Sequence, residues 1–165
     1  MNDLKALMLG PPRLRLALAE SLTCGRLQAR VGAIPGASDF FLGGITAYTI
    51  EQKARHLGVD PGEARSCNAV SAAVAEQMAR GACLLFGADV GAATTGYAEP
   101  AADKGALAPF AWWALARRAG GGFGVRSGRV DCPGLPRTEV QERVALAAYV
   151  ALVAWLRETA AGRTP

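Results

Sequence analysis

Histidine is almost missing from this 165-residue chain, with His56 the only one. A zinc site built on two histidines is therefore excluded within one chain, and a Ser-His-Asp triad would have to use His56. Lysine is scarce too. Lys5, Lys53 and Lys104 are the only three, so chemistry that needs a titrating amine has few candidates. The four cysteines, Cys24, Cys67, Cys83 and Cys132, include no C-x-x-C pair, which argues against a metal knuckle or a thioredoxin motif. Cysteines scattered through a chain with a sizeable core read as reduced thiols, so a cytoplasmic protein is expected. The start, Met1-Asn2-Asp3-Leu4-Lys5, lacks a long apolar run, and no signal peptide is expected. The apolar stretch over 144–156 is shorter than the roughly 20 residues of a bilayer span. No membrane partner is expected.

Charge is sparse at 19% of residues, while apolar residues make up 51%. That balance excludes a disordered chain. Lys and Arg total 18 against 14 for Asp and Glu, a net charge of +4. Such a balance suits an anionic small molecule and is too weak to argue for nucleic acid. The length fits one domain, 1–165, large enough to bury a real core.

The order of elements follows from periodicity and punctuation. The apolar segment 4–9 ends at Gly10-Pro11-Pro12, which cannot continue a helix. Residues 13–19 read as a strand entering the core, and 26–32 as a helix with Thr23 as its cap. A turn over 34–39 leads through a loop containing Gly43-Gly44 to a strand at 45–48. Thr49 caps a helix that runs to Leu57 and stops at Gly58. Ser71 opens the clearest helix, 72–86, with Val74, Met78, Ala82 and Leu85 on one face and Gly87 at its end. Residues 90–95 form a buried strand. Strands at 110–116 and 123–130 are joined as a hairpin by Gly120-Gly121-Gly122. A final helix over 138–158 presents Val140, Val144, Ala147, Ala148 and Leu152, and the tail 160–165 is expected to fray. Strands alternating with helices and then a hairpin predict a three-layer α/β/α sandwich with a mixed sheet.

In such folds, sites gather where strands end. Three polar corners qualify: Glu20-Ser21-Leu22-Thr23-Cys24-Gly25, Tyr48-Thr49-Ile50-Glu51-Gln52-Lys53 and Thr94-Thr95-Gly96-Tyr97. Taken singly, each reads as helix capping, the usual role of Ser and Thr at a strand-helix corner. Together they suggest a nucleophile, Ser21 or Ser38, with Lys53 as its base. A lysine base must be neutral, which requires burial or a nearby cation. Tyr48 would orient Lys53 or relay a proton. Backbone N–H groups at Cys24 and Gly25 would form an oxyanion hole or hold a phosphate. The competing reading makes Lys53 a solvated helix lysine. Arg117, Arg118, Arg126 and Arg129 read as one solvated face of the hairpin. Trp112 and Trp113 read as core or interface, which makes a homo-oligomer plausible. Gly120-Gly121-Gly122 does not fit a dinucleotide-binding pattern.

These residues also resemble a known family. Ala19-Glu20-Ser21-Leu22-Thr23-Cys24-Gly25 resembles the A-E-S-x-T-G-G motif of the CinA carboxyl-terminal domain. The likeness continues through Pro35-Gly36-Ala37-Ser38, Gly44-Ile45-Thr46-Ala47-Tyr48-Thr49-Ile50-Glu51-Gln52-Lys53, Ala69-Val70-Ser71, Thr95-Gly96-Tyr97-Ala98-Glu99-Pro100 and Arg137-Thr138-Glu139-Val140. The resemblance implies conversion of nicotinamide mononucleotide and water into nicotinate mononucleotide and ammonia, by a serine-lysine mechanism with no metal or other cofactor. It implies catalytic roles for Ser21, Lys53, Tyr48 and Ser38. It implies binding of a phosphorylated nucleotide by Thr23, Cys24, Gly25, Thr95, Gly96 and Arg137. Ser21 is the first choice of nucleophile, and the reverse assignment to Ser38 stays open. The sequence departs from the family at Cys24, Glu99, Ala111, Trp112 and Gln141. Those positions are expected to alter the fit to substrate, with Ala111 and Trp112 filling space beside the site. An alternative is a non-catalytic relative that binds a ligand or a protein. The amino-terminal domain of longer family members, which resembles molybdopterin-binding proteins, is absent from this sequence.

Overall fold

Alternation along the strands decides the layers. The computed structural model describes residues 3–162. In the first strand, β1 (Leu16–Glu20), Leu16 and Leu18 face one side while Ala17 and Ala19 face the other, and all four are fully buried. A strand buried on both faces needs helices on both. The remaining strands are β2 (Phe41–Thr46), β3 (Val90–Tyr97), β4 (Phe110–Ala119) and β5 (Gly122–Asp131). They form one sheet in the order β2-β1-β3-β4-β5, parallel across the first three and antiparallel through β4 and β5. The helices are α1 (Asp3–Leu9), α2 (Arg26–Gly32), α3 (Ile50–Leu57), α4 (Pro61–Ser66), α5 (Ala72–Phe86) and α6 (Arg137–Ala160). α1, α2 and α6 cover the leucine face; α3 and α5 cover the alanine face. The result is the expected α/β/α sandwich.

The caps behave as their chemistry dictates. Thr49 and Ser71 accept from the backbone N–H groups of Gln52 and Val74, and Gly58 and Gly87 end their helices in the left-handed region. Small residues set the layer spacing on the alanine face. A Cβ on Gly91 would collide with the Ala79 carbonyl of α5, and one on Gly81 would collide with the Leu57 carbonyl of α3. Backbone therefore meets backbone at both contacts.

Several expectations need correction. The first strand begins at Leu16, not at residue 13, because Arg15 donates its backbone N–H to the Asp89 carboxylate at 2.8 Å before the ladder starts. β2 starts at Phe41 and runs through Gly43-Gly44 rather than after them. The two glycines leave room over the strand for the Phe86 ring and the Gln28 side chain. Between α3 and α5 the chain adds α4, with Asp60 as cap and Pro61 in its first turn, where the sequence reading has no element. Leu85 is exposed, and the buried face of α5 turns instead through Ala75 and Ala79. Ala147 of α6 is only half-buried. Trp113 packs partly buried on the leucine side and Trp112 partly buried on the alanine side. The hairpin arginines do not share one face. Arg118 bonds the Ala88 and Cys83 carbonyls, while Arg126 pairs with Glu158 at 2.8 Å. α6 ends at Ala160; the last three residues of the expected frayed tail lie outside the described residues. No helix among the described residues is long and apolar enough to cross a membrane.

The backbone contact at Gly81 generates a stability prediction. Gly81→Ala forces α3 and α5 apart, and overpacking of this kind costs about 1–3 kcal/mol. The thermal midpoint should fall by roughly 2–10 °C at this chain length. An unchanged midpoint would mean that the helices do not meet at this spacing.

Candidate active site

β1 delivers Ser21 to its carboxyl end, beside the end of β3. The Ser21 N–H donates to the Thr94 carbonyl at 3.0 Å, and the side chain is 7% exposed. From the neighbouring corner, α3 turns Lys53 inward. Lys53 is 2% exposed, and its amine makes three hydrogen bonds, to Ser21 Oγ at 3.0 Å, the Ala47 carbonyl at 3.0 Å and the Tyr48 carbonyl at 3.1 Å. No carboxylate among the described residues forms an ion pair with it. Burial lowers the Lys53 amine from 10.5 to about 8. The solvated-lysine reading is thus replaced by a desolvated amine held in a fixed seat.

That seat has a chemical consequence. A neutral amine carries two N–H bonds and one lone pair. If the two carbonyls keep the two N–H donors, the tetrahedral nitrogen turns its lone pair toward Ser21 Oγ. The hydroxyl proton can then pass to Lys53 as the oxygen attacks.

Ser21 and Lys53 open into a cavity of about 400 Å³. Tyr48, Asn68, Thr95, Gly96, Tyr97 and Arg137 are among the residues around it. Thr95 Oγ donates to the Ala69 carbonyl at 2.6 Å, which fixes a turn where Asn68 and Ala69 have φ of 51° and 57°. Asn68 lies in the left-handed region that asparagine tolerates best after glycine. Its Nδ2 donates to the Tyr97 hydroxyl at 3.1 Å. Tyr97 belongs to the third polar corner of the sequence, whereas Asn68 carries no sequence signal, since positive φ there leaves no periodicity to read. At the rim, Arg137 donates through Nη1 to Glu99 Oε1 at 2.9 Å and through Nη2 to the Tyr48 hydroxyl at 2.8 Å.

Other expected site residues lie elsewhere or act differently. Ser38 is exposed in a 3-10 turn, Ala37–Asp39, that precedes β2. That turn sits by Leu16, at the opposite end of β1 from Ser21. Five residues of strand, about 16 Å, separate the two ends, so this chain does not bring Ser38 to Lys53. Tyr48 is half-exposed and reaches Lys53 through its carbonyl, while its hydroxyl faces Arg137.

The first corner is not an oxyanion hole at Cys24 and Gly25. The Cys24 N–H donates to the Ser21 carbonyl at 3.1 Å. Glu20, fully buried, takes the N–H groups of Gly25, Leu27 and Gln28 at 3.0, 3.2 and 2.8 Å. The start of α2 is therefore filled by the chain's own carboxylate. Thr23 is not the helix cap either; its hydroxyl pairs with that of Thr94 at 2.7 Å, away from the cavity. Cys24 carries φ of 51° and is exposed. Of the departures from the family pattern, only Glu99 lines the cavity. Ala111 is packed into the core, Trp112 lies partly buried against it, and Gln141 donates to the Leu22 carbonyl at 2.8 Å. His56 bonds Gln52 on the exposed side of α3.

With this geometry in hand, comparison with known proteins is specific. The family model of the CinA C-terminal domain matches residues 3–156. A CinA-like protein of Mycobacterium marinum is 46% identical over 100 residues, which are 61% of this chain and 23% of that protein. The chain thus spans about a quarter of the length of the curated relatives it matches. The crystal structure of the competence damage-inducible protein A from Klebsiella pneumoniae superposes with a TM-score of 0.84 at 28% identity, covering 94% of this chain and 93% of that one. The competence/damage inducible protein CihA from Agrobacterium tumefaciens gives a TM-score of 0.79 at 28% identity, covering 95% and 97%. A match over nearly the whole chain, on the same fold, leaves one conclusion: this chain belongs to the CinA C-terminal domain family.

Proposed function

We propose that the domain is an amidohydrolase that converts nicotinamide mononucleotide and water into nicotinate mononucleotide and ammonia, with Ser21 as nucleophile and Lys53 as general base. The observation that carries this reading is the 3.0 Å hydrogen bond between a desolvated amine without a carboxylate partner and a serine hydroxyl at the mouth of a cavity. A structural lysine would satisfy its charge with an acid; burial lowers this one to about 8, within reach of the neutral form that a base requires.

The steps follow from the donors. Neutral Lys53 takes the Ser21 proton as Oγ attacks the carboxamide carbon. The resulting ammonium returns that proton to the departing nitrogen, and ammonia leaves an acyl ester on Ser21. Lys53 then takes a proton from water as it attacks the ester and returns that proton to the departing Ser21 Oγ, and the released acid ionises to the carboxylate. The Ala47 and Tyr48 carbonyls hold Lys53 throughout, and Arg137 stands at the rim for the ligand's polar end. The alternative, a non-catalytic relative, drew support from five sequence departures. Four of them lie outside the cavity, so they do not weigh against turnover.

Two predictions follow from the dyad. Ser21→Ala should reduce ammonia release from nicotinamide mononucleotide by at least about 10³-fold, as expected for loss of a nucleophile, with folding retained on circular dichroism. Retention of turnover would exclude Ser21. The second concerns pH. Lys53 is protonated below about 8, so kcat/KM should rise roughly tenfold per unit up to that value and level off above it. A pH profile of initial rates that stays flat from 6 to 9 would remove Lys53 as the base. The same shift makes the lysine's contribution to stability rise with pH between about 8 and 10.5, because the unfolded chain then holds the proton that the folded one has released.

A further inference from the structure

We propose that Glu99 is a specificity-determining residue: the chain's own carboxylate occupies Arg137 and weakens the cavity's hold on the phosphate of nicotinamide mononucleotide, narrowing its preference over the same carboxamide without the phosphate. This rests on the amide-hydrolysis reading and names a specificity determinant of the same site.

The charges around the cavity carry the argument. Its charged lining residues are Lys53, Glu99, Asp103 and Arg137. Lys53 lies at the floor with its donors directed to Ser21, Ala47 and Tyr48. Asp103 pairs with Lys104 at 3.4 Å. Arg137 is therefore the one lining cation at the rim among the described residues, and both of its terminal nitrogens are engaged, one by Glu99 and one by Tyr48. Pro100 follows Glu99 and restricts the Glu99 backbone to extended conformations.

A phosphate dianion entering this rim must displace a tethered carboxylate from the guanidinium and then sit beside it. The mismatch grows when the site is competent for chemistry. With Lys53 protonated, two positive and two negative lining groups balance; once Lys53 is neutral, the lining carries an excess negative charge. A ligand that lacks the phosphate meets neither obstacle. The Arg137–Glu99 pair is largely solvent-exposed, so it is exchangeable and its effect is graded rather than absolute.

The test compares two ligands that differ only in the phosphate, nicotinamide mononucleotide and nicotinamide riboside, by calorimetric titration of the wild-type protein and Glu99→Gln. The variant should bind the mononucleotide about three- to fivefold more tightly, with the riboside unchanged within about twofold. The gain should vanish when Arg137→Gln is added, since the two residues would act through one contact. No gain for the mononucleotide, an equal gain for both ligands, or a gain that survives Arg137→Gln overturns the proposal. If neither nucleotide binds either protein, the amide-hydrolysis reading fails by itself, and ribose 5-phosphate decides the present question. Tighter binding to Glu99→Gln than to wild type supports it; equal or undetectable binding to both overturns it.

Discussion

A lysine buried without an acid is the constraint around which this domain is arranged. Removing an ammonium from water is expensive unless it is paired or neutral. Here the fold offers two carbonyls and a serine hydroxyl instead of a carboxylate. Each arrives from a different place: the carbonyls from the segment after β2, the hydroxyl from the end of β1, and the lysine from the first turns of α3. The seat exists only while those three elements keep their spacing. The backbone contact of α3 with α5 at Gly81, and of α5 with β3 at Gly91, fixes that spacing. The alanine-rich face of the sheet is thus part of the site's construction, since it lets the helix layer close in.

The neighbouring carboxylate solves a complementary problem. Glu20 is fully buried, yet it meets three amides at the start of α2 and the favourable end of that helix's dipole. Its pairing draws Gly25 and the following turn back over β1 and so sets the corner on which Ser21 sits. A buried acid is satisfied by amides and a buried base by carbonyls, on adjoining corners of the sheet's edge, without the two meeting. Joined as an ion pair they would neutralise each other, and the lysine would be held protonated.

Much of this was legible in the sequence because local chemistry and tertiary structure agree. Thr49 and Ser71 are caps, Gly58 and Gly87 are stops, and the triple glycine is a hairpin, as their side chains require. Ser21 and Lys53 were legible as strand-end and helix-start residues of matching chemistry. What was not legible depended on side chains acting at a distance. Gly43-Gly44 reads as a loop until the Phe86 ring and Gln28 are known to cover it. Gly25 reads as an anion site until Glu20 is known to fill it. Ser38 belongs to the same resemblance as Ser21, but strand direction carries it to the far end of β1. Arg137 and Glu99 are 38 residues apart, and neither periodicity nor turn chemistry pairs them.

The account stands or falls on which oxygen attacks. Rapid acid quenching during turnover of nicotinamide mononucleotide, followed by peptide mass spectrometry, reads this directly. The predicted result is a nicotinate nucleotide acyl adduct on the peptide containing Ser21, lost on longer incubation as ammonia and product accumulate. An adduct on the peptide containing Ser38, or steady turnover with no serine adduct under conditions that trap esters, would contradict it.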